Sequence, residues 1–313
     1  MSKLLILGAN GMVGSAVERG AAAFGFADVL TPSSTELDLC KQVETNEYFQ
    51  AHRPSHVVLA AAKVGGIYAN ETYPAEFIYR NLMIATNVIE AAYRAGVTRF
   101  LLLGSSCIYP KFADQPITEA SLLTGSLEPT NEPYAVAKIA AMKLCQYYRK
   151  QYGVLFHSVM PTNLYGPGDN YHPENSHVIP ALLRRFHQAV RDGAESVTIW
   201  GSGKPRREIL HVDDLANACF KVMAIEQPRD WYNIGCGEDI TILELASLVA
   251  EVVGFAGDIV TDPTKPDGTP RKLLDISLIA ETGWQPRVEL RSGLQQTYAE
   301  FRKFEGDGAN RPR

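Results

Sequence analysis

The chain predicts an α/β fold, a doubly wound parallel sheet with a smaller C-terminal domain interleaved with it. Two observations carry that expectation. Through the first half, short apolar runs alternate with longer segments of helical period, as a parallel sheet covered by helices on both faces requires. After Pro161 this rhythm gives way to a Gly/Pro/Asn-rich stretch and shorter mixed elements, so the second half does not continue the same winding.

The apolar runs at 3–7, 28–31, 56–62, 99–104 and 156–161 are strand candidates, each too short for a buried helix. Between them, 12–24, 40–53, 75–95 and 133–152 repeat apolar residues at helical spacing. Asn163-Leu-Tyr-Gly-Pro-Gly-Asp-Asn-Tyr-His-Pro reads as a loop. An amphipathic helix at 178–191 follows, then a strand at 197–200, a Gly201-Ser-Gly turn, a helix from Asp213, a strand at 231–234 and a helix near 242–253. On this division 1–165 form the main domain, to which segments near 209–235 return. Residues 166–208 and 236–304 form the smaller domain, and 305–313, without apolar periodicity, form a flexible tail.

At 313 residues and 46% apolar content the chain can bury a substantial core, while a formal charge of −5 argues against a nucleic-acid or anionic-membrane binder. Cys40, Cys107, Cys145, Cys219 and Cys236 are scattered and lack metal-ligand spacing, which fits free thiols in a reducing cytoplasm and predicts no metal site. The apolar N-terminal run is too short for a signal peptide, and no stretch approaches the ~20 apolar residues of a membrane span.

Gly8-Ala9-Asn10-Gly11-Met12-Val13-Gly14 follows the first strand and opens the first helix. In that context glycines permit a tight turn and the approach of a pyrophosphate to backbone N–H groups at a helix N-terminus, so Gly8 to Gly14 are read as a dinucleotide cradle in a Rossmann sheet. At the tip of the second strand, Thr31-Pro-Ser-Ser-Thr-Glu36 carries neither Arg nor Lys, and its acid comes late. Hydroxyls there can bond a 2′-phosphate without neutralising it, which leaves NADP and NAD both open on the residues alone.

Tyr134 and Lys138 stand four residues apart and so share a helix face. A phenol of pKa about 10 exchanges protons poorly at neutral pH, and a neighbouring ammonium is expected to lower it. Ser105, at the end of the fourth strand, can bond the same carbonyl oxygen. The three together describe alcohol/ketone chemistry.

Beyond these single residues, the segments Ala60-Ala-Ala-Lys-Val-Gly-Gly-Ile67, Gly104-Ser-Ser-Cys-Ile-Tyr-Pro-Lys111, Glu128-Pro-Thr-Asn-Glu-Pro-Tyr-Ala-Val-Ala-Lys138, Met160-Pro-Thr-Asn-Leu-Tyr-Gly-Pro167, Asn175-Ser-His-Val-Ile-Pro-Ala-Leu-Leu-Arg-Arg185 and Lys265-Pro-Asp-Gly-Thr-Pro-Arg-Lys272 resemble the extended short-chain dehydrogenases/reductases. More narrowly they resemble the branch acting on GDP-linked 4-keto-6-deoxymannose. The resemblance extends over almost the whole chain.

The resemblance implies a two-step reaction, epimerisation at C3 and C5 of the ketosugar followed by reduction at C4 with NADPH. It implies Cys107 and His177 as the epimerising base and acid, whose ordinary pKa values of about 8.5 and 6.5 bracket neutrality. It implies Ser105, Tyr134 and Lys138 as the reducing set, with Lys138, Pro161, Thr162, Asn163, Leu164 and His177 joining the cradle around NADP. It implies Arg185, Trp200, Arg207 and Asp267 as contacts of the GDP-sugar, guanidinium groups being suited to a diphosphate. Members often carry Arg in the glycine loop and after the second strand, where this chain has Asn10 and Ser33-Ser34, so use of NADH stays open. A homodimer built on the helices at 75–95 and 133–152 is also implied, with Tyr147 and Tyr148 among their surplus apolar residues. The readings left beside this one are a 3,6-dideoxy or heptose 4-ketosugar, a pure C4 reductase, a UDP-hexose 4-epimerase and a silent dinucleotide-binding regulator.

Overall fold

The computed structural model describes residues 2–306 apart from 174, 175, 266 and 268, and for 67, 68 and 304–306 the backbone only. In the first half the elements are β1 (Lys3–Leu7), α1 (Met12–Ala21), β2 (Asp28–Leu30), α2 (Gln42–His52), β3 (His56–Leu59), α3 (Ile67–Thr72), α4 (Pro74–Arg94), β4 (Arg99–Leu103), α5 (Glu132–Tyr152) and β5 (Leu155–Pro161). The second half adds β6 (Asn163–Tyr165), α6 (Val178–Asp192), β7 (Ser196–Trp200), β8 (Arg206–His211), α7 (Val212–Ala224), β9 (Trp231–Ile234), β10 (Asp239–Thr241), α8 (Ile242–Val253), β11 (Asp258–Asp262), β12 (Arg271–Lys272), α9 (Ser277–Ala280) and α10 (Leu290–Gly306).

Six strands form one parallel sheet in the order β2-β1-β3-β4-β5-β9. Both faces of its strands are covered, which is why they read as near-continuous apolar runs. Leu5, Val57, Phe100 and Phe156 pack toward α2, α4 and α5, whereas their neighbours Leu4, Val58, Leu101 and Val159 pack toward α1 and α7. The strand order reverses between β1 and β3, the position at which such sheets bind ligands beyond their carboxyl ends.

A third core joins Ile179, Leu183 and Phe186 of α6, Val197 and Ile199 of β7, and Leu245 and Val249 of α8. Strand β8 links this part to the main sheet. Its first residues pair with β10 and β12, and Ile209–His211 pair with β6, directly after β5. The loop expected from Asn163 therefore starts three residues later, because its first residues are drawn into a strand by a partner far along the chain. The pattern also missed α3, β8, β10, β11, β12, α9 and α10.

Two further expectations change. Tyr148 is not a surplus surface residue: its hydroxyl donates to Glu90 and its ring packs on Tyr93 and Phe156, between α4 and α5. Tyr147 does face solvent. Helix α10 continues through 305 and 306, and the rest of the expected tail, 307–313, lies outside the described residues. Among the described residues no helix is long and apolar enough to cross a membrane.

The turn after β1 depends on its glycines. Gly8 has φ +94°, and a Cβ there would lie 2.6 Å from the backbone nitrogen of Ala61 at the end of β3. A Cβ on Gly14 would lie 2.1 Å from Gly8 O, so α1 reaches the sheet only without one. Gly14→Ala is accordingly expected to lower stability by about 1–3 kcal/mol, read as a lower melting temperature; an unchanged melt would contradict this account of the turn.

Candidate active site

The turn between β1 and α1 is built as an anion cradle. Gly11 N–H donates to Gly8 O at 3.0 Å, closing the turn. Gly11 is then the N-cap of α1, with no side-chain cap and no acid in the first turn. The leading N–H groups of the helix are thus left for an external acceptor at the positive end of its dipole. The donor set fits a dinucleotide pyrophosphate.

At the β2 tip, Glu36 turns back on its own loop and accepts from Ser33 N–H at 2.8 Å and Ser33 Oγ at 2.7 Å. Those bonds hold its carboxyl below the usual range. The acid is committed to the turn, and hydroxyls are what this tip presents. Pro161 to Leu164 run from β5 into β6. Thr162 N–H donates to Ile234 O at 2.9 Å, and Thr162 Oγ1 and Asn163 Nδ2 each reach Glu208 O at 3.2 Å.

The residues expected to carry the reduction gather at the carboxyl end of β4. Gly104 N–H bonds Val159 O, and a Cβ on Gly104 would strike the Met160 sulfur at 2.2 Å, so the chain runs flush with the sheet before Ser105. Ser105 Oγ accepts from Cys107 N–H at 3.3 Å, which puts serine and thiol on one tight turn. From α5, the buried Lys138 donates to Leu103 O at 2.7 Å, and its Nζ lies 5.6 Å from the Tyr134 ring centre. The structure thereby brings Ser105, Cys107, Tyr134 and Lys138 into one cluster.

The ionisation of the cluster corrects one expectation. Burial pushes the Tyr134 phenol up, with the nearby Cys107 adding to it, rather than Lys138 drawing it down. The lysine places one of its N–H groups on Leu103 O, and burial lowers it to about 8. Tyr134 is therefore a protonated phenol at neutral pH, suited to giving a proton. Burial likewise pushes the Cys107 thiol up, opposed most strongly by Lys272, then by the Ser105 hydroxyl and Lys138. Lys272 was not among the sequence candidates; it lies in the quoted segment ending at 272, where nothing local sets it apart from Arg271.

The other candidates gather near β7 and β8. Arg185 of α6 donates to Thr198 O at 2.7 Å. Trp200 closes β7, 66% exposed, with the Lys265 ammonium 5.5 Å from its ring centre. Asp267 accepts from Ser202 N–H at 2.9 Å and Ser202 Oγ at 2.7 Å. Arg207 donates to Thr269 O at 2.6 Å and feels the charges of both Asp267 and Lys272. His177 is exposed at the N-cap of α6 and is not among the groups that act most strongly on the thiol.

The low Lys138 value fixes a sign. A lysine held at about 8 when folded and about 10.4 when unfolded costs stability below pH 8, and the cost fades as pH rises between those values. Lys138→Met is expected to gain about 1–3 kcal/mol over the native chain at pH 7, a gain that shrinks toward pH 10 in urea melts. A gain that grows with pH would contradict the burial.

Residues 4–235 match the family model described as the NAD dependent epimerase/dehydratase family. The chain is 58% identical over 297 residues to GDP-L-fucose synthase 1 of Arabidopsis thaliana, covering 95% of this chain and 92% of that one. It is 53% identical over 308 residues to the GDP-L-fucose synthase of Escherichia coli (strain K12), covering 96% of each. A solved GDP-L-fucose synthetase from Naegleria fowleri, bound to NADP, superposes with a TM-score of 0.87 at 26% identity, covering 97% of this chain and 95% of that one. The chain belongs to the NAD dependent epimerase/dehydratase family, in its GDP-L-fucose synthase branch.

Proposed function

We infer that the protein converts GDP-4-keto-6-deoxy-D-mannose to GDP-L-fucose with NADPH, epimerising C3 and C5 and then reducing the C4 ketone. The observation that carries this reading is the shared turn of Ser105 and Cys107 beside Tyr134 and Lys138, which offers a carbonyl donor, a base and a proton source in one cluster. Relatives at 53–58% identity bear the name of the 6-deoxy product, which favours this sugar over the 3,6-dideoxy and heptose readings.

Residues 1–165, with the segments near 209–235, hold the dinucleotide on this reading, and 166–208 and 236–304 hold the GDP-sugar. Gly8 to Gly14 cradle the pyrophosphate, Lys138 the nicotinamide ribose, and Pro161 to Leu164 with His177 complete that wall. NADPH supplies the hydride when bound. Arg185 and Arg207 pair with the diphosphate, while Trp200 and Asp267 orient the base and sugar.

Ser105 and Tyr134 bond the C4 oxygen and draw electron density from C3 and C5. Cys107, as thiolate, takes the proton: an S–H bond forms, the C–H bond breaks, and the electron pair moves onto the C4 oxygen. His177, as imidazolium, returns a proton from the opposite face, inverting the centre; the thiol then gives its proton to solvent and His177 takes one up, and the step repeats at the second carbon. In the reduction Tyr134 gives its phenolic proton to the C4 oxygen and regains one from solvent. A phenol kept protonated by burial matches that role.

We place a homodimer contact on α4 and α5, where Tyr79, Val136 and Tyr147 are exposed, and the cytoplasm as the compartment, which the five free thiols support.

Turnover is tested by following NADPH absorbance with GDP-4-keto-6-deoxy-D-mannose and identifying the product by chromatography against GDP-L-fucose. Native protein is expected to form it, and Cys107→Ser to form it about a hundredfold more slowly while still binding NADPH. Native-rate synthesis by Cys107→Ser would remove the thiol from the mechanism.

A further inference from the structure

We propose that Tyr109 and Asn233 are positioning residues for Cys107, one hydrogen bond between them fixing the turn on which the thiol sits. The inference rests on the reading above, in which that thiolate takes protons from the sugar.

Asn233 is out of keeping with its place. It lies on β9, at the edge of the parallel sheet, opposite Met160 of β5, and is fully buried. Asn is depleted in strands, and a buried amide is tolerable only when it is hydrogen-bonded. Here each bond comes from a different segment. Its Oδ1 accepts from the Tyr109 hydroxyl at 2.6 Å. Its Nδ2 donates to Ile117 O at 2.9 Å and to Asp275 O at 3.2 Å, and its backbone N–H to Glu119 Oε1 at 2.8 Å. The segments at 117 and 275 are themselves joined, Ile117 N–H donating to Leu273 O and Asp275 N–H to Ile117 O, each at 2.8 Å. One amide thus ties β9 to three other stretches of chain.

Tyr109 brings the Cys107 turn into this unit. Cys107 stands between Ser106 and Ile108, both buried, and Tyr109 N–H closes the turn on Ser106 O at 3.4 Å. The Tyr109 ring is buried in the same core as Ile117 and Leu274, and its hydroxyl, two residues past the thiol, ends on the Asn233 amide. The other half of the site has its own anchor, since Tyr134 and Lys138 come from α5, where Lys138 bonds Leu103 O. The epimerising base and the proton donor of the reduction are therefore held by separate bonds. Loss of the Tyr109 hydroxyl leaves Asn233 Oδ1 buried without its donor and lets the turn shift, and proton transfer falls steeply when the base is misplaced.

The test compares Tyr109→Phe with the native protein in two assays. Alkylation of Cys107 by iodoacetamide, read by mass spectrometry of its peptide, is expected to run about tenfold faster in the variant, with Cys40 and the fully buried Cys219 unchanged. Conversion of GDP-4-keto-6-deoxy-D-mannose with NADPH is expected to slow about tenfold, while oxidation of GDP-L-fucose by NADP⁺, which uses Ser105, Tyr134 and Lys138 but not the thiol, keeps its native rate. Tyr109→Met, a flexible side chain of the same apolar character without the hydroxyl, carries the same test should the phenylalanine variant not fold. An unchanged labelling rate at Cys107 overturns the proposal. So does an equal fall in synthesis and oxidation, or faster labelling at Cys219, either of which marks a general loss of packing. Labelling uses neither sugar nor dinucleotide. A native protein that forms no GDP-L-fucose therefore sinks the functional reading and leaves the labelling result to decide this one.

Discussion

The buried ammonium of Lys138, bonded to the carbonyl of Leu103, ties α5 to the carboxyl end of an interior strand of the sheet. Burying a cation there is unfavourable, as its lowered affinity for a proton records. What the bond secures is orientation. It fixes the helix face that carries Tyr134 one turn earlier, and it sets that phenol over the turn that holds Ser105 and Cys107. Lys138 is consequently held by backbone at the end of β4, and its ionisation follows from burial at that place.

The second half of the chain is organised around a comparable expense. Glu208, fully buried on β8, spends both carboxylate oxygens on backbone N–H groups from two distant segments. Gly235 stands so close that a Cβ would lie 2.1 Å from Glu208 Oε1. The carboxylate thereby joins the strand leading back to the main sheet with the strand that brings Lys272 and Arg207 side by side.

Much of this was legible in the sequence where local pattern and local structure coincide. The five strands of the first half, their helices and the glycine turn are each specified by runs whose burial follows from periodicity alone. Helix α10 went unread, although Leu290, Leu294 and Tyr298, which pack on the third core, follow helical spacing in an otherwise polar stretch. Strands β6, β8 and β12 were not, because their residues become strands only through pairing with segments distant in the chain. The upward displacement of the Tyr134 phenol was hidden for a related reason. Spacing puts a lysine on the same helix face, but only the fold decides that it donates a hydrogen bond to Leu103 O and that burial dominates the phenol.

The central claim is that one pocket both inverts two carbons and reduces a third. Running the native reaction in D₂O with NADPH and GDP-4-keto-6-deoxy-D-mannose, and reading the product by NMR, tests it most directly. The account predicts solvent deuterium at both C3 and C5 of GDP-L-fucose. A reduced product carrying protium at both carbons would contradict it and leave Cys107 and His177 without a part in the chemistry.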